Sequence, residues 1–255
     1  MMKINVLGGH GGMAKGYSTT SFLINGNLLV DAGGVVGAID IADQVAIDHI
    51  LITHCHLDHI KDLAFISDNC FGLRSTPFEV HTHPTVKSLI KTHLLNDTIW
   101  PDFTILPSKE KPTITISGVP PEKEFMAGEY KIFPVLVKHP HDAYGYFIEK
   151  DGKTILFTGD TGPTERIWEV AKNVKNLVAI FTEVSFPNRF KKVAELSDHH
   201  TARTMGEEIK KMPLDIPIIL THLKPNYQTE IMKEIADLGN ERITILSKDG
   251  TVFNF

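Results

Sequence analysis

Three histidines and an aspartate crowd into the run Thr53-His54-Cys55-His56-Leu57-Asp58-His59, directly after the apolar stretch Ile50, Leu51 and Ile52. A turn leaving the end of a strand aims alternate side chains at one point, so His54 and His56 can share one ion while Asp58 and His59 reach a second. Imidazole and carboxylate are borderline ligands that suit zinc, iron or manganese better than copper(I) or calcium. Four side chains cannot complete two coordination spheres, so the chain must fold in a way that brings further His or Asp from later strand ends to the same place.

The rest of the sequence supplies such strands. Apolar runs read as strands at Lys3 to Leu7, Thr20 to Ile24, Leu28 to Asp31, Ile50 to Thr53 and Glu79 to Thr82. A brief one follows at Thr113 to Ile116, inside a proline-rich excursion from Pro101 to Gly128. A second series covers Tyr130 to Lys138, Tyr144 to Ile148, Thr154 to Thr158, Val178 to Thr182, Ile216 to Thr221 and Ile243 to Leu246. Helical spacing follows His59 (Leu63, Phe65, Ile66, Phe71) and recurs at Thr85 to Leu95, Arg203 to Met212 and Thr229 to Leu238. Pro163 suits the first turn of a helix running to about Val174. Two strand-rich halves, each backed by helices, predict two β-sheets packed face to face between helical layers, and 255 residues are enough for one such domain spanning 1–255.

Three of the later strand segments are followed by the residues the metal argument requires. His139 follows Tyr130 to Lys138, Asp160 follows Thr154 to Thr158, and His222 follows Ile216 to Thr221. With this ordered series the chain resembles the metallo-β-lactamase superfamily, whose fold is an α/β, αββα sandwich of two mixed sheets flanked by helices. The resemblance implies two divalent metal ions, zinc first and manganese or iron as alternatives. It gives His54, His56 and His139 to one ion, Asp58, His59 and His222 to the other, and Asp160 as the bridge. His141 competes with His139 from two residues further on, and Asp31 fits a position that supports the site from behind.

Paired ions of this kind hold a hydroxide and stabilise both entering and leaving oxygens of an in-line displacement at phosphorus. A proton donor is then needed for the leaving oxygen. The segment Ser197-Asp198-His199-His200-Thr201-Ala202 resembles motifs of phosphodiesterase branches of the superfamily and makes His199 the candidate general acid, with His200 the open alternative; Asp58 and His199 are the catalytic candidates. The segments Asn96 to Phe103, Thr182 to Asn188 and Thr221 to Pro225 are similar to class II cyclic-nucleotide phosphodiesterases. That resemblance implies hydrolysis of cAMP or cGMP to the 5′-monophosphate, with Trp100 and Phe186 available to stack on a base and Lys224 to balance phosphate charge. A cyclic dinucleotide, tRNA 3′ processing and a diiron redox or gas-binding role are the competing readings.

Composition narrows the partners. A net charge of -5 gives no general attraction to polymeric nucleic acid, so a small nucleotide is the expected partner, and a homodimer is compatible with the sequence. Two cysteines make a disulfide framework unexpected, and no secretion signal or membrane-length apolar run is visible, which together suggest the cytoplasm.

Overall fold

A computed structural model describes residues 1–255. It contains two seven-stranded sheets, each half antiparallel and half parallel. In the first, Val252–Asn254, Lys3–Gly8, Ser21–Ile24 and Leu28–Val30 run antiparallel, and His49–Leu51, Phe78–Thr82 and Ile114–Gly118 continue from Leu28–Val30 in parallel. In the second, Phe125–Ala127, Tyr130–Leu136, Tyr144–Lys150 and Lys153–Phe157 are antiparallel, followed in parallel by Leu177–Glu183, Ile218–Thr221 and Ile243–Ile245.

These strands are covered on both faces, which is why they read as near-continuous apolar runs rather than as alternating ones. Along Ser21–Ile24, for example, Phe22 and Ile24 enter the layer between the sheets, where they meet Phe157 and Phe181, while Leu23 faces the helices. The helix Leu57–Asn69 buries Ile60, Leu63, Ala64 and Ile66 in that outer layer, at the three- and four-residue spacing of one helix face. On the other side, helices Arg166–Ala171, Ala202–Ile209 and Gln228–Ala236 bury Trp168, Met205 and Ile231 against the second sheet. The result is the expected helix, sheet, sheet, helix layering of mixed sheets.

Some boundaries differ from the sequence reading. The helix after Pro163 is only Arg166–Ala171, with Glu165 at its N-cap, so Pro163 lies in the preceding turn. The strand before His139 ends at Leu136 rather than Lys138, and His139 closes a turn by donating its backbone N–H to the Val137 carbonyl. Phe65 and Phe71 are half exposed instead of core; they pack on Trp100 and Phe103, so the Asn96 to Phe103 segment lies over the first helical layer. Trp100 meets Phe65 in an edge-to-face contact at 5.2 Å. The short strands Phe125–Ala127 and Val252–Asn254, both at sheet edges, fall outside the sequence reading because three residues are too few to show a period. No helix is long and apolar enough to cross a membrane.

Candidate metal centre

Strand ends supply the site. His54 and His56 lie just past His49–Leu51, and Asp58 and His59 occupy the first turn of the helix Leu57–Asn69. His56 is the N-cap of that helix but makes no side-chain capping bond, which leaves its imidazole for other use. His139, Asp160 and His222 arrive from loops after strands of the second sheet and meet the first cluster. His139 Nε2 and His54 Nε2 each lie 3.1 Å from His56 Nδ1. His59 Nε2 is 3.4 Å from His222 Nε2, which in turn is 3.3 Å from Asp58 Oδ2. Asp160 Oδ2 sits between the two sets, 3.7 Å from His54, 3.3 Å from His59 and 3.2 Å from His222. His141 is exposed and pairs with none of these groups, so the structure brings in His139 of the two neighbours.

Whether this space suits cations follows from where the ring protons are held. Asp31 accepts from His59 Nδ1 at 2.8 Å and from Thr53 Oγ1 at 2.9 Å; with its proton so directed, Thr53 Oγ1 accepts from His54 Nδ1 at 3.0 Å. The Asp198 carbonyl accepts from His139 Nδ1 at 2.9 Å. Ser185 Oγ donates to Glu183 Oε2 at 2.8 Å and so accepts from His222 Nδ1, also at 2.8 Å. All four rings thus have the outer nitrogen held by an acceptor, which directs the inner nitrogen toward the carboxylates of Asp58 and Asp160; the inner nitrogen of His59, protonated in the metal-free protein, would present its lone pair once a cation displaces that proton. A cluster of lone pairs and carboxylates without intervening donors fits divalent cations, and two donor sets sharing Asp160 fit a pair of them.

The electrostatics agree. Burial, followed by the proximity of His59, pushes His54 well below the usual imidazole range; burial and the neighbouring His139 take His56 down to about 4. These rings stay neutral, as ligands must be. Burial alone would raise the carboxyls, but the His222 hydrogen bond and the charge on His59 hold Asp58 well below its usual range, and His222 and His59 do the same for Asp160. Burial opposes protonation of His59, yet Asp160 and Asp31 raise it, since the metal-free site gathers negative charge around that ring.

His199 stands beside this centre. One ring nitrogen of His199, one of His222 and a carboxylate oxygen of Asp160 fall within 4.8 Å of one another, and the His199 ring stacks at 5.5 Å on that of His222. Glu183 Oε1 accepts from His199 Nδ1 at 2.7 Å and, against the cost of burial, raises its affinity for a proton. His200 instead turns inward, with Nδ1 3.1 Å from Thr204 Oγ1, and burial lowers its proton affinity. Neither histidine caps the following helix: Thr201 does, in a reciprocal pair with Thr204. Asp198 holds φ +48, a left-handed conformation that Asp tolerates. Phe186 lies 5.8 Å from the His199 ring, and Lys224, tied to the Gly11 carbonyl, lies over Phe186.

Two features escaped the sequence reading. Glu183 and Ser185 link His199 to His222, although Glu183 ends a strand and obeys the same rule that found Asp160. The Gly8 to Gly12 turn braces His222, which sits at φ +63: Gly9 O accepts from His222 N at 2.6 Å, and a side chain at Gly11 would meet the His222 carbonyl at 2.5 Å. Asp31, which the resemblance put behind the site, is there.

The yeast PDE1 structure superposes with a TM-score of 0.84 at 18% identity, covering 99% of each chain. The Bacillus subtilis metallo-β-lactamase fold protein YhfI does so at 0.76 and 20%, covering 100% of each chain. Among sequence relatives, an uncharacterised Mycobacterium tuberculosis protein is 26% identical over 207 residues, covering 78% of this chain and 70% of that one. Ribonuclease Z of Brevibacillus brevis is 34% identical over 79 residues, which is 31% of this chain and 24% of that enzyme. Ribonuclease Z of Bacillus velezensis is 31% identical over 106 residues, 42% of this chain and 32% of that enzyme, so the chain matches a third or less of the length of either Ribonuclease Z. A family model described as a beta-lactamase superfamily domain matches residues 27–245, and the chain belongs to the metallo-β-lactamase superfamily.

Proposed function

We propose that the protein is a metal-dependent phosphodiesterase that opens 3′,5′-cyclic nucleotides to 5′-monophosphates. The observation that carries this reading is the pair of donor sets joined through Asp160, with a proton-bearing His199 at their side. His54, His56 and His139 would hold one divalent ion, and Asp58, His59 and His222 the other; Asp160 would touch both, and zinc is the first choice. When bound, the ions supply charge neutralisation at the phosphate and activation of water. The chain does the rest. His199, protonated through its bond to Glu183, delivers a proton to the departing 3′ oxygen. Ser185 ties that pair to His222, so acid and ligand stay in register. Lys224 adds positive charge beside Phe186, whose half-buried ring is placed to meet a base.

Support also comes from the likeness to yeast PDE1 over the whole chain and from the Asn96 to Phe103 segment. The test is an assay of the purified, zinc-loaded protein against cAMP, cGMP, cyclic dinucleotides and a linear phosphodiester. Turnover of a 3′,5′-cyclic mononucleotide at the highest kcat/KM is expected; no cleavage of any cyclic nucleotide would refute the proposal.

The relatives named Ribonuclease Z favour a second reading, tRNA 3′ processing. A net charge of -5 weighs against it. Affinity for precursor tRNA that falls steeply with salt, together with cleavage, would favour it over the first.

A further inference from the structure

A second group of ligand-type side chains lies away from the centre, at the other end of the strand that delivers His54. His49 begins that strand and is paired in parallel register with Glu79, while Leu51 pairs with His81. Residues opposite one another share a face, and Glu79 and His81 share one because they are two apart, so all three point to the same side of the sheet. Ile50 and Val80, between them, face the helices. At about 3.3 Å per residue, the five steps from His49 to His54 put the group on the order of 10 Å or more from the main site.

The three ligand atoms converge. His49 Nδ1 is 3.5 Å from Glu79 Oε2 and 3.5 Å from His81 Nε2, and His81 Nε2 is 4.0 Å from the same carboxylate oxygen. Zinc bonds of about 2.0 to 2.1 Å in a tetrahedron separate neighbouring ligand atoms by about 3.4 Å. Two of the three separations therefore match that spacing within about 0.1 Å, and the third, 4.0 Å, must close by about 0.6 Å for the group to take an ion. Its rings are already oriented. His81 lies against Phe125 of the opposite sheet at 4.9 Å. The turn at Gly128, at φ +58, approaches His49 so closely that a side chain there would come within 3.0 Å of Nε2, leaving Nδ1 directed at Glu79. Glu79 is 54% exposed, so the fourth position opens to solvent.

We propose that His49, Glu79 and His81 form a separate zinc site, two imidazoles and one carboxylate with water at the open position, that pins the strand His49–Leu51 to Phe78–Thr82. Two imidazoles and a carboxylate match the preference of zinc, and the site stands whatever the main centre hydrolyses. Burial and the neighbouring His49 bring His81 to about 4, so its ring is neutral and able to ligate at physiological pH.

The experiment strips the full chain with a chelator, restores it with a small excess of zinc, desalts it and counts metal per chain for wild type, Glu79→Gln and His49→Gln. Glu79→Gln is a surface change and tests the site without disturbing packing. Both variants should hold one zinc fewer than wild type, with circular dichroism unchanged. Zinc-edge anomalous diffraction of the wild type should show a peak between His49 Nδ1 and His81 Nε2. An unchanged metal count in either variant, or no anomalous peak there, would overturn the assignment.

Discussion

Replacement of Asp31 by Asn isolates how the centre is supported. Asp31 is buried at φ +56, a left-handed conformation that Asn also tolerates, so the backbone is not the variable. Its carboxylate accepts from Thr53 N at 2.8 Å, from Thr53 Oγ1 at 2.9 Å and from His59 Nδ1 at 2.8 Å. An amide offers one oxygen, so its NH2 must face either Thr53 or His59. A lost charge-assisted bond with its donor left buried costs about 2 to 3 kcal/mol. If the amide nitrogen faces His59, the ring shifts its proton to Nε2, where it bonds Asp160 Oδ2 at 3.3 Å and withdraws the lone pair meant for the second ion. Loss of such outer support typically weakens metal binding about 10- to 100-fold. Urea denaturation of the metal-free protein and zinc competition against a chromophoric chelator read the two effects separately. Unchanged zinc affinity in Asp31→Asn would show that the tautomer of His59 is not set from behind, and the lone-pair argument would fail.

Three further outcomes are expected. His199→Ala should lower turnover by about 10²- to 10⁴-fold while leaving metal content intact; loss of metal in this variant would mean that His199 is a ligand rather than an acid. Asp160→Asn should abolish turnover and lower metal content with an unchanged circular dichroism spectrum, because its Oδ2 is the atom near both donor sets; retained activity would remove it as the bridge. In the metal-free protein, His81 has a folded-state value of about 4 against 6.5 for the free group. The unfolded chain therefore takes the proton first, so this contribution to stability is full above about pH 6.5 and declines as pH falls toward 4, by up to ~1.4 kcal/mol per pH unit. His81→Gln should lose that component, and superimposable wild-type and variant profiles of unfolding free energy against pH would contradict it.

The metal-ligand candidates were legible in the sequence because each is a His or Asp next to an apolar run, and the end of a strand is visible locally. The layered architecture was legible for the same reason: strands covered on both faces must be apolar throughout, whatever their partners. Other features depend on distance in space. His139 and His141 are alike in sequence, and only the turn after Leu136 puts one inside and the other in solvent. His199 and His200 are adjacent, but Glu183, reached through the second sheet, holds the first beside the centre while Thr204 takes the second. Trp100 meets Phe65 across 35 residues of sequence, a contact no local pattern records.

Sequence alone thus determined which chemical groups the chain can bring to its strand ends, since that is set by local pattern. Tertiary structure decided which nitrogen of each ring faces the centre, which neighbour serves and which is spectator, and where a second cluster forms. Most of those hydrogen-bond partners are remote in sequence, as Glu183 is from His199 (16 residues) and the Asp198 carbonyl from His139 (59 residues), and a one-dimensional pattern carries no record of them.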